Sequence, residues 1–170
     1  FRLVISPSGN LPDLSPKIDL AHMNDDNVHD LALFLERHNL IDQIETYINN
    51  YAVLPGGGNI IIQDTAAMTV IDVNAGPDRR GALAVNLEAA AEIARHMRIR
   101  NLGGIMIIDL LKMPNITARR KVMEFLETQF DDDPCTVQIH GLTKLGLLEL
   151  TRNRRTPTLA ERVGVIDVNS

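Results

Sequence analysis

Two aspartates, Asp72 and Asp109, follow short apolar runs and are the residues whose types and spacing could support chemistry. The runs Met68–Ile71 and Ile105–Ile108 have the length and character of buried strands in a sheet covered on both faces. A carboxylate after such a strand is expected at the edge of the sheet, where open α/β sheets bind ligands. If the strands are neighbours, the carboxylates converge and repel one another. This favours a hydrated divalent cation between them, typically Mg²⁺, with Mn²⁺ able to replace it.

A cation held in this way suits phosphodiester hydrolysis, because it can activate a water molecule and neutralise charge that develops on the phosphate. Asn74 lies two residues after Asp72, on the same side of an extended chain, and can hydrogen-bond that phosphate. The alternative for both aspartates is turn formation just beyond a strand. No Ser-His-Asp or Cys-His arrangement stands out, and His96 and His140 are interpreted as packing or surface histidines.

The elements that must position the aspartates form a strand, a helix and a second strand. The first strand ends at Asp72, a Gly-Pro break follows, and apolar residues at helical spacing predict a helix over Leu83–Arg100. A glycine pair then precedes the strand Ile105–Asp109. Such a unit is expected to join parallel neighbours through a right-handed crossover, which would bring the two aspartates together.

Helices and a meander of strands are expected on the N-terminal side. The pattern predicts a strand in residues 1–5, a helix that ends near His38, and a second helix over Ile41–Asn49. The turn Pro55–Gly58 is followed by neither Lys-Ser/Thr nor a helix, so a hairpin turn is favoured over a phosphate loop. The three expected strands are Tyr51–Leu54, Asn59–Gln63 and Met68–Asp72.

Beyond Asp109 the pattern predicts a helix with Thr117 as a candidate cap, ending near Phe130. The three aspartates that follow, residues 131–133, are interpreted as a solvated acidic turn rather than a metal cluster. The remaining expected segments are the strand Thr136–His140, a strand or turn over Gly146–Leu150, and a basic loop over Arg152–Arg155.

Composition is that of a soluble globular domain, with 45% hydrophobic and 23% charged residues in 170. The single cysteine, Cys135, excludes an internal disulfide and a cysteine-based zinc site within one chain, and it fits a reducing cytoplasm. No apolar run approaches a membrane span, so no membrane partner is expected. Net charge is −5, yet residues 73–170 hold 14 Lys and Arg against 12 Asp and Glu, which permits an RNA-binding surface.

The block IDVNAG, followed by NLEAAAEIARHMRIRNLGGIMIIDLLKM, resembles the central part of the ribonuclease E/G family of bacterial endoribonucleases. The resemblance continues upstream through LFLERHNLIDQIE and VLPGGGNIII, and downstream through VQIHGLTKLGLLELTRNR. It implies an α/β fold, a mixed sheet with flanking helices, similar to the DNase I-like catalytic subdomain of that family. Residues 31–160 would form this core, after an irregular segment over residues 1–30 and before a tail over residues 161–170.

The resemblance places the family's two metal-binding aspartates on Asp72 and Asp109 and its supporting asparagine on Asn74. It implies a magnesium-dependent endoribonuclease, a phosphodiester hydrolase that cleaves single-stranded RNA in cytoplasmic RNA processing or decay and leaves a 5′-phosphate. Many members carry an aspartate where this chain has Lys112, which would either weaken cation binding or contact a phosphate. The basic residues predicted to contact RNA are Arg79, Arg80, Lys112, Lys144, Arg152 and Arg154.

The family's cysteine pair, which shares zinc between subunits, is absent, so any homo-oligomer is expected to form without a cysteine–zinc link. Two other functions remain open on the sequence alone. One is a catalytically weak RNA-binding or scaffolding module that keeps the fold. The other is a hydrolase of small phosphoesters that uses the same pair of carboxylates.

Overall fold

A computed structural model describes residues 39–163 of the chain. The chain divides into two compact units, residues 1–45 and residues 46–170. The strand predicted at the start, the helix predicted through His38 and most of the predicted tail lie outside the described residues.

Four helices and six strands make up the described part. Helix α1 crosses the division between the two units, and the other elements belong to the second. The helices are α1 (Leu40–Ile48), α2 (Ala82–Arg100), α3 (Ile116–Gln129) and α4 (Leu159–Val163). The strands are β1 (Tyr51–Val53), β2 (Asn59–Asp64), β3 (Thr69–Asn74), β4 (Gly104–Asp109), β5 (Val137–Leu142) and β6 (Leu148–Arg152). No described helix is both long enough and apolar enough to cross a membrane.

The six strands form one mixed sheet in the order β1-β2-β3-β4-β6-β5. The predicted meander β1-β2-β3 is antiparallel, and β3 pairs with β4 in parallel. Helix α2 connects these two parallel strands, as the strand–helix–strand pattern predicts. Strand β6 pairs antiparallel with both β4 and β5. The α/β fold with a mixed sheet and flanking helices is therefore confirmed.

Alternation along the strands gives the sheet two different faces. On β3, Ile71 and Val73 are buried, whereas Asp72 and Asn74 between and beyond them are only partly buried. Helices α2 and α3 pack on the face that carries Ile71, and their buried side chains join the buried strand residues in one hydrophobic core. Each fully buried aliphatic side chain in such a core contributes about 1.5–3 kcal/mol.

The second face carries the side chains that alternate with the core. We call it the carboxylate face and define it by Val70, Asp72 and Asn74 of β3 with Ile105, Ile107 and Asp109 of β4. It differs from the expectation of a sheet covered on both faces, since Ile105 is 49% exposed and Asp109 is exposed. The expectation failed because a run of apolar residues in a strand does not show how many of its faces are covered.

The ends of the two long helices have clear local causes. Asn101 ends α2 in the left-handed conformation at φ 52°, which asparagine tolerates better than most residues. The cap of α3 is Asn115, whose side chain accepts a hydrogen bond from the Ala118 N–H at 2.8 Å. The predicted cap, Thr117, is wrong by two residues, because Thr117 already lies inside the helix.

Candidate functional site

Asp72 and Asp109 are paired residues on neighbouring parallel strands. They are direct partners in the β3–β4 register, where Ile71 is the partner of Ile108. Adjacent strands lie about 4.8 Å apart and residues in register point to the same face, so the two carboxylates rise side by side from the sheet. The predicted convergence is present, with Asp109 as the last residue of β4 and Asp72 two residues before the end of β3. They therefore lie near the carboxyl ends of two parallel strands, as the sequence suggested, and project from the carboxylate face.

Asn74 lies one side-chain repeat further along β3 and orients the first carboxylate. Its amide Nδ2 donates to Asp72 Oδ2 at 2.9 Å and has a longer contact of 3.4 Å with Asn59 Oδ1 on strand β2. Asn59 and Asn74 are themselves partners in the β2–β3 register. The hydrogen bond from Asn74 thus orients the Asp72 carboxylate. It is a different contact from the phosphate hydrogen bond that was expected of Asn74.

The donor set fits a hydrated cation better than a fully protein-enclosed one. Neither Asp72 nor Asp109 forms an ion pair within residues 39–163, although the two carboxylates are adjacent. The same part of the chain contains no cluster of three or more His, Cys, Asp or Glu arranged to hold a metal ion. Two carboxylates on an accessible face suit Mg²⁺, which keeps several water ligands and commonly takes only one or two from protein.

A buried asparagine on α2 fixes the chain beyond Asp109. The side chain of Asn86 is fully buried, donates from Nδ2 to the Leu111 carbonyl at 2.9 Å and accepts from the Leu111 N–H at 3.0 Å. Because Leu111 lies two residues after Asp109, this bidentate contact restrains the exit of β4. Asn86 was not predicted to have a role, and its available signal was a lone amide among the apolar residues of the NLEAAA stretch.

The glycine turn and the loop after β3 contact one another through backbone atoms. The Leu54 N–H donates to the Gly58 carbonyl at 2.8 Å, which closes the predicted hairpin turn between β1 and β2. A Cβ on Gly58 would lie 2.7 Å from the Asn74 carbonyl oxygen, and one on Gly76 would lie 2.9 Å from the Gly57 carbonyl oxygen. The glycines therefore permit an approach that places the start of this loop beside the turn.

An ion-pair cluster ties the same loop to α2. Arg80 Nη2 lies 2.6 Å from both Asp78 Oδ2 and Glu88 Oε1, and Glu88 Oε2 accepts from the Gly56 N–H at 2.9 Å. The hydrogen bond from the Arg80 side chain lowers the pKa of Asp78, and the hydrogen bonds to Asp78 and Glu88 raise the pKa of Arg80. Arg80 is thus partly exposed but already paired, which makes it an element of loop structure as well as a candidate RNA contact.

The other basic residues predicted to contact RNA differ in their exposure and in whether they form ion pairs. Arg79 and Lys112 are exposed in the chain segments that leave β3 and β4, close in sequence to Asp72 and Asp109. Lys144 is exposed in the turn between β5 and β6. Arg154 is partly exposed and pairs with Glu161 at 3.0 Å. Exposure and closeness in sequence to the two aspartates therefore favour Arg79 and Lys112 as RNA contacts.

Arg152 does not fit the predicted RNA contact. It lies in β6 rather than in a loop, is 2% exposed, and pairs with the buried Asp133 at 2.8 Å. Its Nη1 also donates to the Leu102 carbonyl at 2.7 Å. Exposing this guanidinium to a phosphate would leave the Asp133 carboxylate buried without a partner, which is strongly unfavourable. We therefore assign Arg152 a structural role, and the acidic turn is solvated only at Asp131 and Asp132.

The chain is similar in sequence to known proteins over most of its length. A sequence profile of the Ribonuclease E/G family matches residues 10–155. Ribonuclease E of Escherichia coli (strain K12) is 37% identical over 156 residues, which is 88% of this chain and 14% of that protein. Ribonuclease E of Nostoc sp. is 38% identical over 82% of this chain and 21% of that protein. The Ribonuclease E/G-like protein, chloroplastic, of Arabidopsis thaliana is 31% identical over 87% of this chain and 15% of that protein. The chain therefore spans less than a quarter of the length of each of these relatives.

Proposed function

The chain belongs to the ribonuclease E/G family, and we propose that it contains the metal-binding centre of an endoribonuclease that cleaves single-stranded RNA with Mg²⁺. The observation that carries this proposal is the register pair Asp72–Asp109 on one accessible face, with no cationic partner among the described residues. The names of the relatives support cleavage of RNA; the metal, the single-stranded substrate and products with a 5′-phosphate belong to the proposal. So does a cytoplasmic location, since a chain with one free cysteine needs no oxidising compartment.

Each residue of the centre has a distinct task in this proposal. Asp72 and Asp109 would hold the ion, and Asn74 keeps the Asp72 carboxylate oriented. When bound, Mg²⁺ would act as a Lewis acid towards a phosphate oxygen and would lower the pKa of a bound water molecule. Lys112 and Arg79 contact neighbouring phosphates of the RNA strand, and they partly offset the repulsion between the strand and the two carboxylates.

Cleavage of a single-stranded RNA oligonucleotide, with Mg²⁺ and with excess chelator, tests the proposal. Asp72→Asn and Asp109→Asn should each reduce kcat/KM about a hundredfold or more, because loss of a metal ligand removes several kcal/mol of transition-state stabilisation. Both variants should also weaken Mn²⁺ binding measured by calorimetry. Asp132→Asn removes an equal charge from the exposed acidic turn and should change neither quantity.

Three results would contradict the proposal in different ways. RNA binding without cleavage in the unmodified protein would indicate an RNA-binding or scaffolding module. Turnover of a small phosphoester, with RNA left intact, would indicate a hydrolase of small substrates. Cleavage that persists at full rate in Asp72→Asn and Asp109→Asn would place the chemistry elsewhere in the chain.

A further inference from the structure

A tyrosine occupies the same row of the sheet as the two carboxylates. Tyr51 is the register partner of Ile61, Ile61 is the partner of Asp72, and Asp72 is the partner of Asp109. Directly opposed residues on neighbouring strands project to the same face, so all four side chains belong to the carboxylate face. With strands about 4.8 Å apart, the Tyr51 and Asp72 backbones lie about 10 Å from one another.

The backbone of Tyr51 is anchored by a hydrogen bond, and its side chain is partly accessible to solvent. Strand β1 is an edge strand, and the Tyr51 N–H donates to the Asn49 side chain at 3.2 Å. Tyr51 is 47% exposed and the next residue on the same side of β1, Val53, is 63% exposed. By contrast Tyr47, which precedes β1, packs edge-on against His96 with ring centroids 5.0 Å apart. About half of the Tyr51 surface is therefore open, about 10 Å along the row from Asp72.

The chemistry of this part of the face favours a nucleobase over a phosphate. Neither the row Tyr51–Ile61–Asp72–Asp109 nor the neighbouring row Val53–Asn59–Asn74 contains a lysine or arginine. An RNA phosphate over these two rows would find no lysine or arginine in either row to neutralise it, and two carboxylates nearby to repel it. Every base has an uncharged π-face that stacks on an aromatic ring, so the base of a bound nucleotide suits this apolar surface.

We propose that Tyr51 is a base-stacking platform that binds a nucleotide close to the phosphate held at Asp72 and Asp109. This inference rests on the proposed function, because it takes single-stranded RNA as the substrate. The strand would cross the sheet from β4 towards the β1 edge, with Ile61 forming the apolar floor between the carboxylates and the ring. Stacking of this kind tolerates every base, so Tyr51 adds affinity and register without demanding a particular sequence.

Tyrosine fluorescence tests the contact directly, because the chain has two tyrosines and no tryptophan. Tyr47→Phe keeps the packed ring of the first tyrosine and leaves Tyr51 as the only emitter. In that variant, combined with Asp109→Asn to prevent cleavage, single-stranded RNA should quench the emission in a saturable manner. An oligonucleotide of the same length made of abasic sugar-phosphates should not. Emission that is insensitive to both ligands, under conditions where RNA binds by anisotropy, would overturn the inference.

Kinetics supply a second readout. Loss of one stacked base on alanine substitution corresponds to about five- to a hundredfold in affinity, so Tyr51→Ala should raise KM for RNA by this factor with little change in kcat. Tyr51→Phe keeps the π-face and should restore KM, whereas Tyr51→Leu keeps the apolar bulk and should not. Tyr51→Leu also replaces the alanine variant if the latter fails to fold. Ile116→Ala, which truncates an exposed apolar residue on α3, should leave KM unchanged.

The outcomes separate this inference from the function on which it rests. Suppose that cleavage depends on magnesium and on Asp72, but that KM is the same in the parent, Tyr51→Ala and Tyr51→Leu. This result would overturn the stacking site without contradicting the nuclease function. Quenching of Tyr51 by RNA in a protein that never cleaves it would support the stacking site and overturn the nuclease.

Discussion

At the scale of single residues, Asn86 shows how a side chain distant from the substrate can position a carboxylate. Both polar atoms of its buried amide are used by the backbone of Leu111, two residues after Asp109. The contact therefore fixes the direction in which the chain leaves β4. A buried amide that makes two good hydrogen bonds is also expensive to remove, since its partners are left unsatisfied.

Asn86→Ala should lower the free energy of unfolding by about 1–3 kcal/mol, the usual cost of buried polar groups that lose their partners. It should also weaken Mn²⁺ binding about tenfold or more, as substitutions of residues that orient metal ligands commonly do. Chemical denaturation and calorimetry measure the two effects. Asn153→Ala, at an exposed position, is the control. Lower stability with unchanged Mn²⁺ affinity would show that Asn86 has only a structural role.

The sequence predicted that Asp72 and Asp109 meet, which the register confirms, but not the contacts that surround them. Asp72 and Asp109 were identifiable because each follows a short apolar run, and Asn74 because it lies two residues after Asp72. The meeting of the two aspartates followed from strand–helix–strand connectivity. Arg152 was misassigned because a basic residue among other basic residues resembles a surface group. Its partner Asp133 lies in the turn between α3 and β5, and only the folded chain brings the two side chains together.

At the scale of elements, the glycine turn between β1 and β2 positions the loop that follows β3. Gly58 is needed for space, since its Cβ would lie 2.7 Å from the Asn74 carbonyl oxygen. Gly146, in the turn between β5 and β6, is needed for its φ of 92°, and a Cβ there would meet nothing within 4 Å. Glycine is thus required at position 58 for the close approach of two backbone segments, and at position 146 for a positive φ.

Gly58→Ala should displace the Asn74 backbone and lower kcat by up to about a hundredfold, because small misplacements near a reacting centre are costly. Gly146→Ala should lower the melting temperature through backbone strain while leaving kcat unchanged. Melting curves and single-turnover kinetics on both variants distinguish the effects. Equal kcat in Gly58→Ala and the parent would show that the turn does not position Asn74.

Element boundaries were predicted to within two residues where periodicity was strong, as for α1, α2 and β4. Strand β6 was harder, because Gly146–Leu150 fits a strand or a turn, and α4 was not predicted. The insertion of β6 between β4 and β5 also escaped prediction, since either strand of a hairpin can pair with a neighbour. The buried side chains of β6, at Leu148, Leu150 and Arg152, fit its position between β4 and β5 in the sheet.

At the scale of the whole molecule, the buried surroundings of His96 link stability to pH. His96 is 2% exposed, and its Nδ1 accepts a hydrogen bond from Arg100 Nε at 3.1 Å. Tyr47 packs against its ring, and Arg95 donates to the Tyr47 hydroxyl. Burial, together with the positive charges of Arg100 and Arg95, lowers the pKa of His96 to about 3. The carboxylate of Glu92, 3.9 Å from Nε2, opposes this shift without cancelling it.

Because the pKa of His96 is lower in the folded chain than its ordinary value of 6.5, the unfolded chain binds the proton more tightly. The contribution of neutral His96 to stability is therefore complete above about pH 6.5 and is lost progressively as the pH falls towards 3. Within this window, each fall of one pH unit should lower the free energy of unfolding by up to about 1.4 kcal/mol because of His96.

Urea denaturation of the full chain between pH 7 and pH 4 measures this slope, and His96→Asn isolates it. Asparagine does not titrate and offers an oxygen near the position of Nδ1 to accept from Arg100, so the variant should lose less stability than the parent over this range. Carboxylates titrate in both proteins and cancel in the difference. Parallel pH profiles would show that His96 is protonated in the folded chain without cost, and the packing of Tyr47 and Arg100 around it would then have to open at low pH.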